Sequence, residues 1–266
     1  MPANFKALTW ENPDFISRDE THKNKLQDLF TQADDILHRL TSSPDSLPPF
    51  IRHILSPQIR KHLGTWEENI GKNFQNLVVL GTGGSSRGGH AVCALKKRSD
   101  KDLRTLFFEN IGPHSMDKAL ADLDPHQTHF LVISKSGSTA ETLAQCIVCI
   151  RTFVERGLTD TLSDHFTLIM DQGDSPLRKL ADKYQLEILE HPADLGGRYS
   201  VLSAVGMAPA LAKGIDCTTL LESADYAFSQ MLDSNIPARE KQSVIGAVNQ
   251  AYAYKNEGIS QTILMP

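Results

Sequence analysis

The run His129-Phe130-Leu131-Val132-Ile133-Ser134-Lys135-Ser136-Gly137-Ser138-Thr139-Ala140-Glu141-Thr142 passes from an apolar strand into a loop crowded with hydroxyls. His129 to Ile133 is short, apolar and β-branched, the composition of a buried parallel strand, and Leu143 to Val148 behind the loop reads as helix. The loop therefore opens onto a helix N-terminus, where backbone N–H groups without intrahelical acceptors and the positive end of the macrodipole favour an anion. Gly137 can take positive φ and let a ligand approach the main chain, while the neighbouring hydroxyls can donate to phosphate oxygens. Glu141 works against an anion in the first turn, so its expected role is a capping box with Ser138. An ordinary Ser/Thr-rich turn before a capped helix is the competing reading of this segment taken alone.

Two other segments carry related chemistry. Asn76 to Leu80 is an apolar strand that runs into Gly81-Thr82-Gly83-Gly84-Ser85-Ser86-Arg87-Gly88-Gly89, and His90 to Leu95 continues as helix. A glycine-rich turn after a strand also announces dinucleotide folds, but here the third glycine of G-x-G-x-x-G is missing at position 86 and the chain has no G-x-x-x-x-G-K-[ST] run. In Ala193-Asp194-Leu195-Gly196-Gly197-Arg198-Tyr199-Ser200, continuing to Gly206, an arginine follows a double glycine and precedes a small-residue helix. Its forked guanidinium can pair with an anion or stabilise a developing oxyanion, or it can simply salt-bridge the fold.

Taken together, these segments resemble the glucose-6-phosphate isomerase (phosphoglucose isomerase) family, whose members are built from two sugar-isomerase (SIS) domains. Ala193 to Gly206 is similar to that family's Gly-Gly-Arg-aromatic-Ser signature, Ser134 to Thr142 to its phosphate loop with Lys135 as the telling residue, and Gly83-Gly84-Ser85 to its first sugar-contacting loop. The resemblance implies that Ser134, Ser136, Ser138 and Thr139 hold a phosphate with Lys135 close by. It further implies that Gly83, Gly84 and Ser85 lie against the sugar and that Arg198 is the catalytic residue facing the C1 and C2 oxygens. The implied reaction interconverts glucose 6-phosphate and fructose 6-phosphate through a cis-enediolate, in glycolysis and gluconeogenesis, without metal or cofactor. The implied assembly of the full-length enzyme is a homodimer.

The same resemblance places the glutamate base, the ring-opening histidine and a late lysine in the family's second SIS domain. Gln261-Thr262-Ile263-Leu264-Met265-Pro266 reads as the first strand of such a domain, so the chain is expected to be a catalytically incomplete N-terminal portion. Glu109, after the strand Thr105 to Phe108, and Glu141 are the loop carboxylates that could substitute as base, although neither matches the family position. His90 and His191 lie near the candidate loops, yet neither corresponds to a family catalytic position, and local backbone bonding is the commoner fate of such residues.

Composition sets the remaining bounds. A chain of 266 residues, 40% hydrophobic, has ample material for a core. A formal net charge of -5 gives no general attraction to nucleic acid or anionic membranes, so any affinity for phosphate must be local. No apolar run reaches the length of a membrane span, and Met1 to Lys6 lacks a signal peptide's apolar core, which together read as cytoplasmic. Cys146 and Cys149 form a lone C-x-x-C among apolar helix residues and read as buried filler; Cys93 and Cys217 are isolated, and no cluster suggests a metal.

The chain then divides into residues 1–62, a helical arm; 63–215, the first SIS, phosphosugar-binding domain; and 216–266, linker helices with the start of a second SIS domain. Within the middle part, strands at Leu77–Leu80, Thr105–Phe108, Phe130–Ile133, Phe166–Met170 and Leu186–Leu189 alternate with helices. The alternation predicts an α/β fold, a three-layer α/β/α arrangement around a parallel five-stranded sheet with flanking helices and with ligand loops at the strands' C-terminal ends. Leu26, Leu29, Phe30, Ala33, Ile36, Leu37 and Leu40 predict an amphipathic helix in the arm, and Pro44, Pro48 and Pro49 interrupt it. Against the isomerase stand a non-catalytic SIS protein that binds a sugar phosphate and regulates a partner and, more remotely, a nucleotide-binding oxidoreductase domain.

Overall fold

The computed structural model describes residues 20–54, 63, 64, 66, 70, 73–97, 99 and 102–261. Residues 1–19 and 55–62 of the arm, and all but Gln261 of the strand expected over Gln261 to Pro266, lie outside the described residues. The chain divides into two compact units, Pro49–Glu222 and Met1–Pro48 with Ser223–Pro266.

The larger unit is built on five strands: β1 (Asn76–Leu80), β2 (Arg104–Phe108), β3 (Thr128–Ile133), β4 (Phe166–Met170) and β5 (Glu187–Glu190). They pair in parallel in the order β2-β1-β3-β4-β5. The apolar runs seen in the sequence are these strands, with β1 and β2 starting one residue earlier, β3 two residues earlier and β5 displaced by one. All of β3 is buried, because helices cover both of its faces, and this removes the alternation of polar and apolar residues that a one-sided strand would show.

Alternate strand residues feed two cores. Leu77 and Val79, Leu131 and Ile133, Ile169 and Leu189 point to one face, where they meet α3 (Arg87–Cys93) and α8 (Ala204–Ala212). Val78 and Leu80, Phe130 and Val132, Leu168 and Met170 point to the other, against α4 (Pro113–Ala121), α5 (Ala140–Glu155) and α7 (Pro176–Tyr184). The three layers expected from the alternation are therefore present. Two shorter helices, α2 (Pro49–Ile54) and α6 (Leu162–His165), complete the unit with the first turns of α9 (Cys217–Leu232). Pro49 and Pro44 each begin a helical segment, since a proline lacks only the N–H that an N-terminal position leaves unpaired.

The smaller unit pairs α1 (Glu20–Leu40) with α10 (Gln242–Glu257). Leu29, Val244, Val248 and Tyr252 form its core, and Leu26, Phe30, Ala33 and Leu37 pack against them as the helical spacing predicts. Ile36, part of the same stripe by spacing, instead is exposed. No helix among the described residues is long and apolar enough to cross a membrane.

Candidate functional site

Within the sheet, the chain leaves β1 toward one edge and leaves β3 toward the other, and α3 and α5 cover opposite faces. Such a reversal opens a crevice at the C-terminal ends of the two strands, the place where open parallel sheets bind ligands. The loops after β1 and β3 both start there: a Cβ at Gly81 would stand 3.2 Å from the Ile133 carbonyl oxygen.

The loop after β3 is a tight structure of its own. Gly137 has φ +62, and a side chain there would drive into Met170 and Ser175, so glycine is required by both conformation and space. Its N–H donates to the Ser134 carbonyl at 3.0 Å and its carbonyl accepts from the Leu177 N–H at 3.1 Å, while the Asp171 N–H donates to the Lys135 carbonyl at 2.9 Å. Ser134 is buried and donates its hydroxyl to Thr139 Oγ1 at 3.0 Å; Ser136 and Ser138 are exposed and pair with each other at 2.9 Å. Thr139 is the residue at the N-cap of α5, without a side-chain capping bond, so the capping box expected between Ser138 and Glu141 does not form. The competition is local: the Ser138 hydroxyl is engaged by Ser136, and the chain enters the helix one residue later. The first N–H groups of α5 are left without intrahelical acceptors beside these hydroxyls. Lys135 is half-buried and has no ion pair or side-chain hydrogen bond among the described residues.

The glycine-rich loop after β1 forms a 3-10 turn over Gly83–Ser85, with φ +57 at Gly83. Its other side is closed by the arginine loop. A Cβ at Gly84 would lie 2.6 Å from the Gly197 carbonyl carbon, so the two backbones touch where only glycine fits. The Ser200 hydroxyl lies 2.7 Å from the Gly197 carbonyl and 3.5 Å from that of Gly84, completing the join. Arg198 projects from the 3-10 turn Gly197–Tyr199 and is exposed, with no intramolecular ion pair or side-chain hydrogen bond among the described residues. The alternative of a purely structural salt bridge thus finds no partner there.

The two carboxylates that could act as bases are placed differently. Glu109 accepts from the buried Ser86 hydroxyl at 3.1 Å and faces Arg87 at 3.3 Å and His90 at 3.7 Å. It braces the glycine-rich loop, and the His90 ring stacks on Phe107. Glu141 is exposed on the first turn of α5. His191 is buried, with Nδ1 donating to the Pro192 carbonyl at 3.0 Å, and burial holds its imidazolium below the usual range. The expected local backbone bond is made by His191, whereas His90 instead faces Glu109 and Phe107, from the neighbouring strand β2 and the loop after it. Cys146 and Cys149 are fully buried in α5, and desolvation pushes the Cys146 thiol up to about 12, as inert filler requires.

The phosphoglucose isomerase family matches residues 30–265. The chain belongs to that family. A glucose-6-phosphate isomerase of Thermus thermophilus is 34% identical over 153 residues, which are 58% of this chain and 36% of the relative. One from Citrifermentans bemidjiense is 32% identical over 207 residues, 77% of this chain and 38% of the relative. The chain thus spans well under half the length of these phosphoglucose isomerase relatives. Among solved structures, a Thermus thermophilus protein described as hypothetical superposes with a TM-score of 0.72 at 27% identity, over 90% of this chain and 55% of that one. A glucose-6-phosphate isomerase of Chlamydia trachomatis gives 0.70 at 21% identity, over 88% and 50%, a likeness of fold.

Two features around these loops escape a reading of the sequence. Glu109 is a candidate base by its position, whereas its contacts make it a brace. Phe50, Arg52 and His53 carry no sequence signal that connects them with the arginine loop, although Phe50 stacks on Tyr199 and the other two bind Asp194. Nothing in a sequence separation of 141 residues could have signalled that pairing.

Proposed function

We propose that this chain carries the phosphosugar-binding part of a glucose-6-phosphate isomerase, with residues 63–215 as the first SIS domain. The observation that carries this reading is the closure of the glycine-rich loop on the arginine loop, Gly84 against Gly197, with Lys135 and Arg198 unpaired among the described residues. In a chain of net charge -5, Lys135 in the loop that opens onto the α5 N-terminus and Arg198 on the loop closed against Gly84 would each add local attraction for an anion.

The proposed roles follow from placement. Ser136, Ser138, Thr139 and the first N–H groups of α5 bind the phosphate, with Lys135 adding charge and Ser134 holding Thr139 in position. Gly83, Gly84 and Ser85 let the sugar lie against the main chain. Arg198 faces the C1 and C2 oxygens and gains interaction energy as the cis-enediolate becomes anionic, which lowers the barrier rather than merely tightening binding. A base must approach the C1 and C2 protons to about 3 Å. Glu109 is held by three partners, so we assign the base to residues outside this chain and expect binding without turnover. The whole enzyme would be a homodimer of the cytoplasm, working in glycolysis and gluconeogenesis on glucose 6-phosphate and fructose 6-phosphate.

The test is incubation of the purified 266-residue chain with fructose 6-phosphate, coupled to detection of glucose 6-phosphate, beside titration of the same sugar by calorimetry. Binding that weakens about tenfold or more in Lys135→Ala, with no conversion, supports the proposal. Conversion that disappears in Arg198→Ala would show that a base is present in this chain. Absence of binding would sink the phosphosugar reading. A non-catalytic sugar-phosphate regulator is the second reading, favoured by the same commitment of Glu109. Turnover in a longer chain from the same gene would exclude it.

A further inference from the structure

The arginine loop is gripped on both sides of Arg198 by one short helix distant in sequence. Ile51 and Ile54 anchor α2 in the unit's interior. From the same helix, Arg52 donates to Asp194 Oδ2 at 2.7 Å and His53 Nε2 lies 2.6 Å from Asp194 Oδ1, four residues before Arg198. Phe50 stacks on Tyr199, one residue after it, with ring centroids 5.6 Å apart and planes 20° from parallel. Between these two tethers lie Gly196 and Gly197, the residues with the most backbone freedom to lose. Arg198, lacking an intramolecular partner of its own among the described residues, is positioned through its backbone.

We infer that α2 is a clamp that sets the position of Arg198, with Asp194 as the positioning residue through which the clamp acts. The inference rests on the reading of Arg198 given under the proposed function. Magnitudes argue against a purely stabilising role: the Asp194 side chain is 45% exposed and those of Arg52 and His53 are 35% and 30% exposed, a setting in which ion pairs add little to stability. What the pairing does supply is direction, because both carboxylate oxygens are used and the loop cannot rotate about a single bond.

Electrostatics alone and positioning predict opposite signs. Removing Asp194 deletes a negative charge, so simple charge balance says that anions bind more tightly. Positioning says that a ligand with negative charge at C1 binds less tightly, whereas one without it is unaffected. The probes are 6-phosphogluconate, which carries a carboxylate at C1, and sorbitol 6-phosphate, which carries none; each is titrated calorimetrically into the full chain.

In Asp194→Ala we expect about a tenfold loss for 6-phosphogluconate with sorbitol 6-phosphate unchanged within about twofold, and a smaller selective loss in Asp194→Asn, which keeps one acceptor oxygen. Arg198→Ala should show the same selective loss, and the double variant little more, since both changes act on one contact. Phe50→Leu tests the second tether should Asp194→Ala fail to fold. Unchanged or tighter 6-phosphogluconate binding in the Asp194 variants, or an equal loss for both probes, overturns the clamp. If Arg198→Ala itself leaves the ratio of the two affinities unchanged, or if neither probe binds the parent chain, the functional reading falls and the clamp falls with it.

Discussion

Gly84 and Gly197 meet backbone to backbone, and a methyl group at position 84 would have to occupy space already taken by the Gly197 carbonyl. Backbone cannot move aside as a flexible side chain would, so Gly84→Ala is expected to cost about 1–3 kcal/mol and to separate the two loops. The measurement is the urea midpoint together with phosphosugar affinity, and an alanine variant matching the parent in both would refute the contact. His129 offers a second residue-level expectation. Its Nδ1 donates to the Asp164 carbonyl at 3.1 Å, its Nε2 lies 2.9 Å from the Thr167 hydroxyl, and the Phe74 ring packs on it. Burial pushes its pKa down to about 3 from an ordinary 6.5. Between those two values the unfolded chain binds a proton that the folded chain refuses, so stability present above 6.5 is lost as pH falls toward 3. His129→Gln should flatten the dependence of the urea midpoint on pH between about 6 and about 4, whatever it does to the midpoint itself. An unaltered slope would assign the acid sensitivity elsewhere.

Among the elements, the strands and the three-layer arrangement are legible in the sequence because β1, β3 and β4 are buried on both faces and therefore stand out as unbroken apolar runs. The loop after β3 is legible for a similar reason: Gly137 and its hydroxyl neighbours are contiguous in the chain. The capping box is misleading because two equivalent hydroxyls, Ser136 and Ser138, can pair with each other, and sequence does not say which partner wins. The α2 clamp is invisible because it joins segments 141 and 142 residues apart. A comparable long-range tie is made by Gln145 on α5, whose amide donates to the Phe108 carbonyl at 3.0 Å and to the Asn110 carbonyl at 3.1 Å. Glu109 lies between those residues, so the helix that follows the β3 loop also fixes the carboxylate that braces the glycine-rich loop. Gln145→Leu should cost about 1–3 kcal/mol, because it strips two carbonyls of their donor. It should also loosen Glu109 from Ser86, which would be seen as faster amide exchange in the glycine-rich loop. Unchanged exchange there would break the proposed link.

For the molecule as a whole, both cores on the sheet lie within Pro49–Glu222, and so do all three candidate loops. A segment of that size buries enough apolar surface to fold without staples. Expressed alone, residues 49–222 are expected to unfold cooperatively and to bind phosphosugar with an affinity within about threefold of the full chain. Loss of cooperativity or of binding would show that the remaining residues are needed to build the site.

The meeting of Gly84 and Gly197 also limits the routes open to descent. Any side chain at position 84 is blocked by main chain at 197, so no compensating change of side chain there can make room for it. A lineage that abandoned the contact would have to rebuild the path of a loop in one move, and drift by single substitutions ends at this point. The pair of glycines is in this sense a historical lock, closing the seam between these two loops to gradual remodelling.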